Sequence, residues 1–299
     1  MVTAFRPVDL REALAIRAGE RTIVFAGGSD LMVRGRSIYG GAPRFDLPVL
    51  MVGHLPELIE ITLDGGILTI GPCCTLSRIL CHEAVPSYVR APLLGMASPP
   101  VRNIATLGGN ICNASPAGDS LPMLYALDAR IELRATDRIR TLKVSDFITG
   151  PGRTLLKEDE ILTGISIPLA DYSRVCYRKV GTRRANGISK VSLFAAAKLS
   201  ASRVEALRIS LGAVAPMALR SRVAENMLES LPLEAVARRV DAVKDCFASL
   251  INPIDDMRSS KEYRRTVAFN LLENYLCNLI SEEDFSWNLC QNHRGVSWD

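Results

Sequence analysis

Two glycine pairs constrain this chain more than any other feature. The first lies in Ile23-Val24-Phe25-Ala26-Gly27-Gly28-Ser29-Asp30-Leu31, where a β-branched apolar run stops at Gly-Gly and Ser-Asp opens a short helix. Glycine has no Cβ, so it accepts positive φ and lets another atom approach the backbone closely. Successive amides at such a turn make a concavity suited to a pyrophosphate. Taken alone, the same residues also describe a plain turn and N-cap. The second pair sits in Arg102-Asn103-Ile104-Ala105-Thr106-Leu107-Gly108-Gly109-Asn110, which continues through Cys112 and Asp119 to Pro122. It reads as one long loop, and loops of that length in a compact unit usually carry function. Thr106 and Asn110 can hydrogen-bond phosphate oxygens, and Asp119 can accept from a ribose or ribityl hydroxyl. Neither segment is G-x-G-x-x-G or a Walker P-loop, so a Rossmann site is not indicated. Two separate phosphate-type loops imply one dinucleotide held between two subdomains.

Composition removes several alternatives. The chain has 299 residues, 48% hydrophobic and 23% charged, a length that suggests about two domains. Those fractions exclude a disordered, collagen-like or coiled-coil chain. A net charge of +4 is too mild to imply nucleic acid. No apolar run reaches the roughly 18 residues that a membrane span needs. Arg6, Asp9 and Glu12 interrupt any signal peptide at the start. The expectation is a soluble cytoplasmic protein. Its eight cysteines, at 73, 74, 81, 112, 176, 246, 277 and 290, show no C-x-x-C spacing. With only His54, His82 and His293 beside them, they read as reduced packing residues rather than metal ligands. Chemistry would then come from a bound organic cofactor or a partner chain.

Periodicity predicts a helix over 9–18 with Asp9 and Glu12 as a capping box. Strands are predicted at 22–26 and 48–53, a hairpin over 58–72 turning at Asp64-Gly65-Gly66, and strands at 130–135 and 160–168. Helices are predicted at 75–82 and 87–97. Past residue 170 the pattern changes to three antiparallel strands, then helices over 219–231, 234–249 and 261–280. The fold class expected is α+β. The basic stretch Arg130, Arg134, Arg138, Arg140 and Lys143 reads as a solvated face. Ser259 to Arg264 reads as a packing start to the last helix.

The segments AGGSDL, RNIATLGGNICNASPAGDSLPMLYALDA and YRKVGTRRANGISKV resemble, in this order, the FAD-binding medium subunit of the molybdenum hydroxylase family. The resemblance covers roughly residues 3–280. It implies a PCMH-type (vanillyl-alcohol-oxidase-like) FAD-binding domain over 1–172, in subdomains of about 1–55 and 56–172. A CO dehydrogenase flavoprotein C-terminal-like domain would follow over 173–281, with a polar tail over 282–299. In the family, electrons pass from a molybdenum cofactor through 2Fe–2S clusters to FAD and usually on to NAD+. Those metal centres belong to an iron–sulfur small subunit and a molybdenum large subunit, so a hetro-oligomeric complex is implied, with no metal here.

By position, the resemblance assigns cofactor contact to Ile23, Val24, Phe25, Ala26, Gly27, Gly28, Ser29 and Asp30, and to Thr106, Leu107, Gly108, Gly109 and Asn110. It adds Asp119, Leu162 at the flavin border, and Lys179 near the isoalloxazine and nicotinamide, where a cation could favour reduced flavin. Many relatives have Asp where this chain has Gly187, which leaves acceptor identity less determined. Ser29-Asp30 is similar to the xanthine dehydrogenase form of the first loop. Cys112 is the one nearby candidate for a covalent flavin link. The function implied is a xanthine dehydrogenase-like electron-transfer subunit reducing NAD+. The alternatives are a carbon monoxide, aldehyde or aza-heterocycle dehydrogenase subunit using quinone or oxygen, and a flavin-free scaffold.

Overall fold

Val191 to Ala197 is buried without a break, although a half-buried strand would alternate. Both faces of its strand, Val191–Ser200, are covered. Leu193, Ala195 and Ala197 join a core with the helices Val240–Ala248 and Lys261–Asn278, while Phe194 and Ala196 face a second core built by earlier residues. This strand lies inside an antiparallel sheet ordered Arg174–Val180, Val191–Ser200, Arg203–Gly212, Leu219–Arg220. The computed structural model describes residues 2–36, 42–183, 186–200 and 202–279. The tail expected over 282–299 lies outside them.

The earlier core fills the space between a five-stranded antiparallel sheet and four short helices. The strands run Ile61–Asp64, Ile67–Ile70, Ile161–Pro168, Arg130–Arg134, Ile139–Lys143 in spatial order. Leu76–Cys81, Ser87–Leu94, Leu107–Asn113 and Leu121–Ala126 supply the helical side. A third, smaller sheet is parallel, with Val49–Met51 between Ala4–Phe5 and Ile23–Phe25. The helix Leu10–Gly19 packs Ala13 and Leu14 beside it. Its N-cap bonds are in place: Glu12 N donates to Asp9 Oδ1 at 2.7 Å, and Val8 N donates to Glu12 Oε2 at 2.6 Å.

Three expectations need correction. The stretch 102–122 is not one loop, because Leu107–Asn113 is helical with Thr106 as its cap. Two adjacent glycines have poor intrinsic helix propensity, which hid it. The helix expected over 234–249 is interrupted by a 3-10 turn at Ala237–Arg239, and Val236 and Val240 on its two sides both reach the core. The basic stretch is mostly paired rather than solvated. Fully buried Glu160 accepts from Arg140 Nη2 at 2.7 Å and Nε at 2.8 Å, and Arg138 Nη2 donates to Asp159 at 2.6 Å. Arg134 pairs with Glu132 and Lys143 with Asp128, while Arg130 is exposed. The packing role expected for the start of the last helix is seen: Arg264, 3% exposed, donates to Lys190 O, Ala213 O and Asp256 Oδ1.

The Glu160 cluster sets an acid limit. Burial pushes its carboxyl up, but hydrogen bonds from Arg140 and the Lys157 amide, with Arg138, hold it below the usual carboxylate range. Asp128, opposed by burial and favoured by Arg220 and Arg222, is lowered as well. A lowered carboxylate stabilises the fold fully above its ordinary value of about 4 and loses that contribution as pH falls through the folded value. The melting temperature should therefore hold above about pH 5 and fall below it, with Glu160→Gln showing a lower plateau and a shallower fall. Thermal melts across this range check it, and a profile identical in both proteins would contradict it.

Candidate functional site

Both glycine pairs line one cavity of about 1140 Å³, just above the roughly 300–1,000 Å³ typical of small-molecule sites. The first loop leaves the small parallel sheet after Phe25, so its amides emerge at the strand's carboxyl end. Among the described residues the amides of Gly27, Gly28, Ser29 and Asp30 have no hydrogen-bond partner. Gly28 has φ +69°, which a side chain rarely adopts. A Cβ on Gly27 would stand 1.8 Å from Ile104 O, so this glycine lets the two loops touch.

The second loop offers different groups. Leu107 N donates to Cys74 O, Gly108 N to Pro72 O at 2.9 Å, and Gly109 N to Thr106 Oγ1 at 3.1 Å. Those amides are used internally. What remains for a ligand is the Thr106 hydroxyl hydrogen and the Asn110 amide nitrogen, since Asn110 Oδ1 accepts from Ser120 Oγ at 2.6 Å. Gly109 leaves the space beside them open, because a Cβ there would meet only Thr106 Oγ1 within 4 Å.

Of the residues expected at the site, Ile23, Val24, Ala26, Gly27, Gly28, Ser29, Asp30, Thr106, Gly108, Gly109, Asn110, Asp119, Leu162 and Lys179 line this cavity. Two do not. Phe25 lines a neighbouring cavity of about 310 Å³, with its ring packed under Gly28. The Leu107 side chain is fully buried in the core. Helical geometry turns Leu107 inward.

Asp119 and Lys179 were expected to meet a ligand separately, but they meet each other. Lys179 Nζ lies 2.6 Å from Asp119 Oδ2 and 2.9 Å from Gly95 O. The other carboxylate oxygen accepts from Ser189 Oγ, and Ser189 is fully buried. Lys179 is thus a neutralised cation, with side-chain exposures of 12% and 9% for the pair. Burial pushes the nearby Tyr177 phenol well above its ordinary value, and the Asp119 charge adds to this. Sequence reading missed Ser189, although it stands two residues beyond Gly187 in a segment already singled out. It also missed Arg258, which reaches the cavity from the segment before the last helix.

Cys73 and Cys112 line the cavity too, and burial pushes both thiols up to about 12. A thiol that far above neutrality is not a nucleophile. Cys112→Ser should leave ligand retention unchanged, and acid precipitation should release all bound flavin into the supernatant. Flavin remaining on the wild-type pellet and lost in the variant would contradict this.

Residues 1–170 match the FAD binding domain in molybdopterin dehydrogenase, and residues 176–279 match the CO dehydrogenase flavoprotein C-terminal domain. The chain is similar to the xanthine dehydrogenase FAD-binding subunit of Escherichia coli, 28% identical over 284 residues, 93% of this chain and 94% of that one. It is 33% identical to the glyceraldehyde dehydrogenase medium chain of Sulfolobus acidocaldarius, over 88% of this chain and 92% of that one. The fold is similar to a solved chain of reconstituted CO dehydrogenase from Oligotropha carboxidovorans, with TM-score 0.83 and 22% identity, covering 92% and 96% of the two chains. With one domain match spanning over half the chain and another covering residues 176–279, the chain belongs to the FAD-binding medium subunits of the molybdenum hydroxylase family.

Proposed function

We propose that the large cavity is the FAD site, and that the chain carries electrons from 2Fe–2S clusters of a small subunit to NAD+, within a complex whose large subunit holds the molybdenum cofactor. The observation that carries this reading is the convergence of two glycine pairs, distant in sequence, on one cavity. The residues fit the cofactor. Four unpaired amides at Gly27 to Asp30 suit pyrophosphate oxygens, and Thr106 and Asn110 keep donors free on the facing wall. Ile23, Val24 and Leu162 offer apolar surface for the rings.

Bound there, the flavin supplies the redox chemistry that the chain's own side chains lack. Lys179, held by Asp119 and the Gly95 carbonyl, places a fixed ammonium at the cavity wall. Ser189 fixes Asp119 in turn. With its charge balanced by Asp119 and two of its three N–H groups used, Lys179 keeps one fixed donor for the ligand, which needs no reorganisation to act. On the same reading the chain divides near residue 172, supported by the two family matches.

Xanthine-type chemistry is the preferred branch, on the similarity of Ser29-Asp30 and on the Escherichia coli relative. Gly187 favours a second reading of the acceptor, because no carboxylate stands at that point of the wall. Stopped-flow reoxidation of the reduced complex by NAD+, quinone and oxygen separates them. Rapid reoxidation by NAD+ is expected, and reoxidation by quinone or oxygen alone would replace the NAD+ reading. Among the described residues no helix is long and apolar enough to cross a membrane.

A further inference from the structure

The cations lining the large cavity are of two kinds. Arg17 Nη1 donates to the Thr22 carbonyl and hydroxyl, Arg34 Nη2 donates to Asn113 Oδ1, and Lys179 is held by Asp119 and Gly95. Arg258 is different. Its Nε lies 3.3 Å from Asp256 Oδ2, and among the described residues neither Nη has a hydrogen-bond partner. Its side chain lines the cavity and is 42% exposed, so it is in reach of both the cavity and solvent.

This placement is built into the fold. Asp256 Oδ1 accepts from Arg258 N at 2.8 Å, Ser259 N at 3.1 Å and Arg264 Nη2 at 2.8 Å. Arg264, 3% exposed, also binds Lys190 O at 2.7 Å. One buried guanidinium therefore ties the Arg258 segment to the segment bearing Gly187 and Ile188, which lines the same cavity. The sign of the opening follows. Gly187 brings no charge, and Arg183 turns back onto Asn186 O at 2.8 Å. Among the described residues the carboxylates of the cavity wall are Asp30, on the first glycine loop, and Asp119, already paired. Exposed apolar side chains belong to the same two segments: Ile188, 56% exposed, lines the cavity, and Met257, 106% exposed, precedes Arg258 in the chain.

We propose that Arg258 is the anion-binding residue of the cavity mouth and takes a phosphate of the dinucleotide acceptor, with Ile188 and Met257 against the acceptor's rings. The planar guanidinium presents two parallel N–H groups that match a phosphate, which an ammonium cannot do. Apolar side chains beside it suit the flat bases of the same ligand. The inference rests on the flavin-and-NAD+ reading of the cavity and names the residue that selects an anionic acceptor.

The test uses the complete FAD-loaded complex, with NAD+ turnover and calorimetric binding of ADP-ribose as probes. Arg258→Gln should raise the KM for NAD+ and the Kd for ADP-ribose by about tenfold or more, as loss of a charge-assisted pair does, with kcat within about twofold and FAD content unchanged. Arg258→Lys should recover part of the loss, and added salt should weaken ADP-ribose binding more in the wild type than in Arg258→Gln. Wild-type constants in Arg258→Gln overturn the proposal. So does a variant that loses its partner subunits while binding ADP-ribose normally, since Arg258 would then serve an acidic protein surface. A wild-type complex that holds FAD but does not bind ADP-ribose overturns this proposal and leaves the flavin assignment standing. A complex without FAD removes that assignment and this inference with it.

Discussion

Gly27→Val should yield a chain that retains almost no FAD and melts well below the wild type. The added Cβ would stand 1.8 Å from Ile104 O and 2.7 Å from Ile104 C, both backbone atoms that no rotamer change can move. The two glycine loops must then separate. That displaces the amides of Gly28, Ser29 and Asp30 from the wall opposite Thr106, and overpacking of this kind costs about 1–3 kcal/mol or more. Gly28→Ala is the instructive contrast. Its Cβ would meet the Phe25 ring at 2.1 Å, a side chain able to swing, so the cost there comes also from the backbone at φ +69°. The flavin-to-protein ratio after purification and a thermal melt read both effects. A Gly27→Val chain with wild-type flavin content and melting temperature would contradict the contact between the loops.

Arg220→Met should destabilise the chain by about 3–5 kcal/mol, the usual cost of leaving a buried charge without its partner. Arg220, with its side chain 8% exposed, binds Glu225 Oε1 at 2.8 Å and Oε2 at 2.9 Å, Asp128 at 2.9 Å and Tyr125 O at 2.7 Å. Glu225 is fully buried and also accepts from Ile209 N at 2.9 Å. Removing the guanidinium takes away the two shortest ion-pair contacts of Glu225, leaving it the longer one from Arg222 Nη1 at 3.4 Å and the Ile209 amide, and cuts the link from Leu219–Arg220 to the end of the helix Leu121–Ala126. At roughly 2–4 °C per kcal/mol for a chain somewhat smaller than this, the melting temperature should fall by on the order of 10 °C. Adding Glu225→Gln to Arg220→Met should recover part of the loss, because the under-compensated buried charge is gone. Equal melts for the wild type and Arg220→Met would show that the pair contributes nothing net.

Much of this was legible in the residues, for identifiable reasons. Strands whose apolar runs end at Gly-Gly or Asp-Gly-Gly announce themselves, so Ile23–Phe25 and the hairpin Ile61–Ile70 were readable. The glycine pairs themselves pointed to a shared cavity, and the cavity has both in its wall. Two kinds of information were not in the sequence. One is which backbone groups are already used: Gly108 N and Gly109 N are spent on Pro72 O and Thr106 Oγ1, which no motif reveals. The other is which charges find each other. Asp119 with Lys179, and Glu160 with Arg138 and Arg140, are pairs formed by long-range folding. Local spacing carries no trace of them. The strand Ile139–Lys143 was missed for a related reason, since its paired Arg140 looks like solvent-facing charge.

The most direct measurement is an equilibrium titration of FAD into flavin-depleted protein, comparing the wild type with Gly109→Val. At this position a Cβ meets Thr106 Oγ1 at 2.9 Å and otherwise enters open cavity. The substitution should therefore block the ligand while leaving most of the fold intact. One FAD per wild-type chain is expected, and binding weakened by about tenfold or more in Gly109→Val, the effect of losing contacts worth about 1.4 kcal/mol, with secondary structure preserved. Wild-type protein that takes up no FAD, or a folded Gly109→Val that binds it as tightly as the wild type, would contradict the assignment of this cavity.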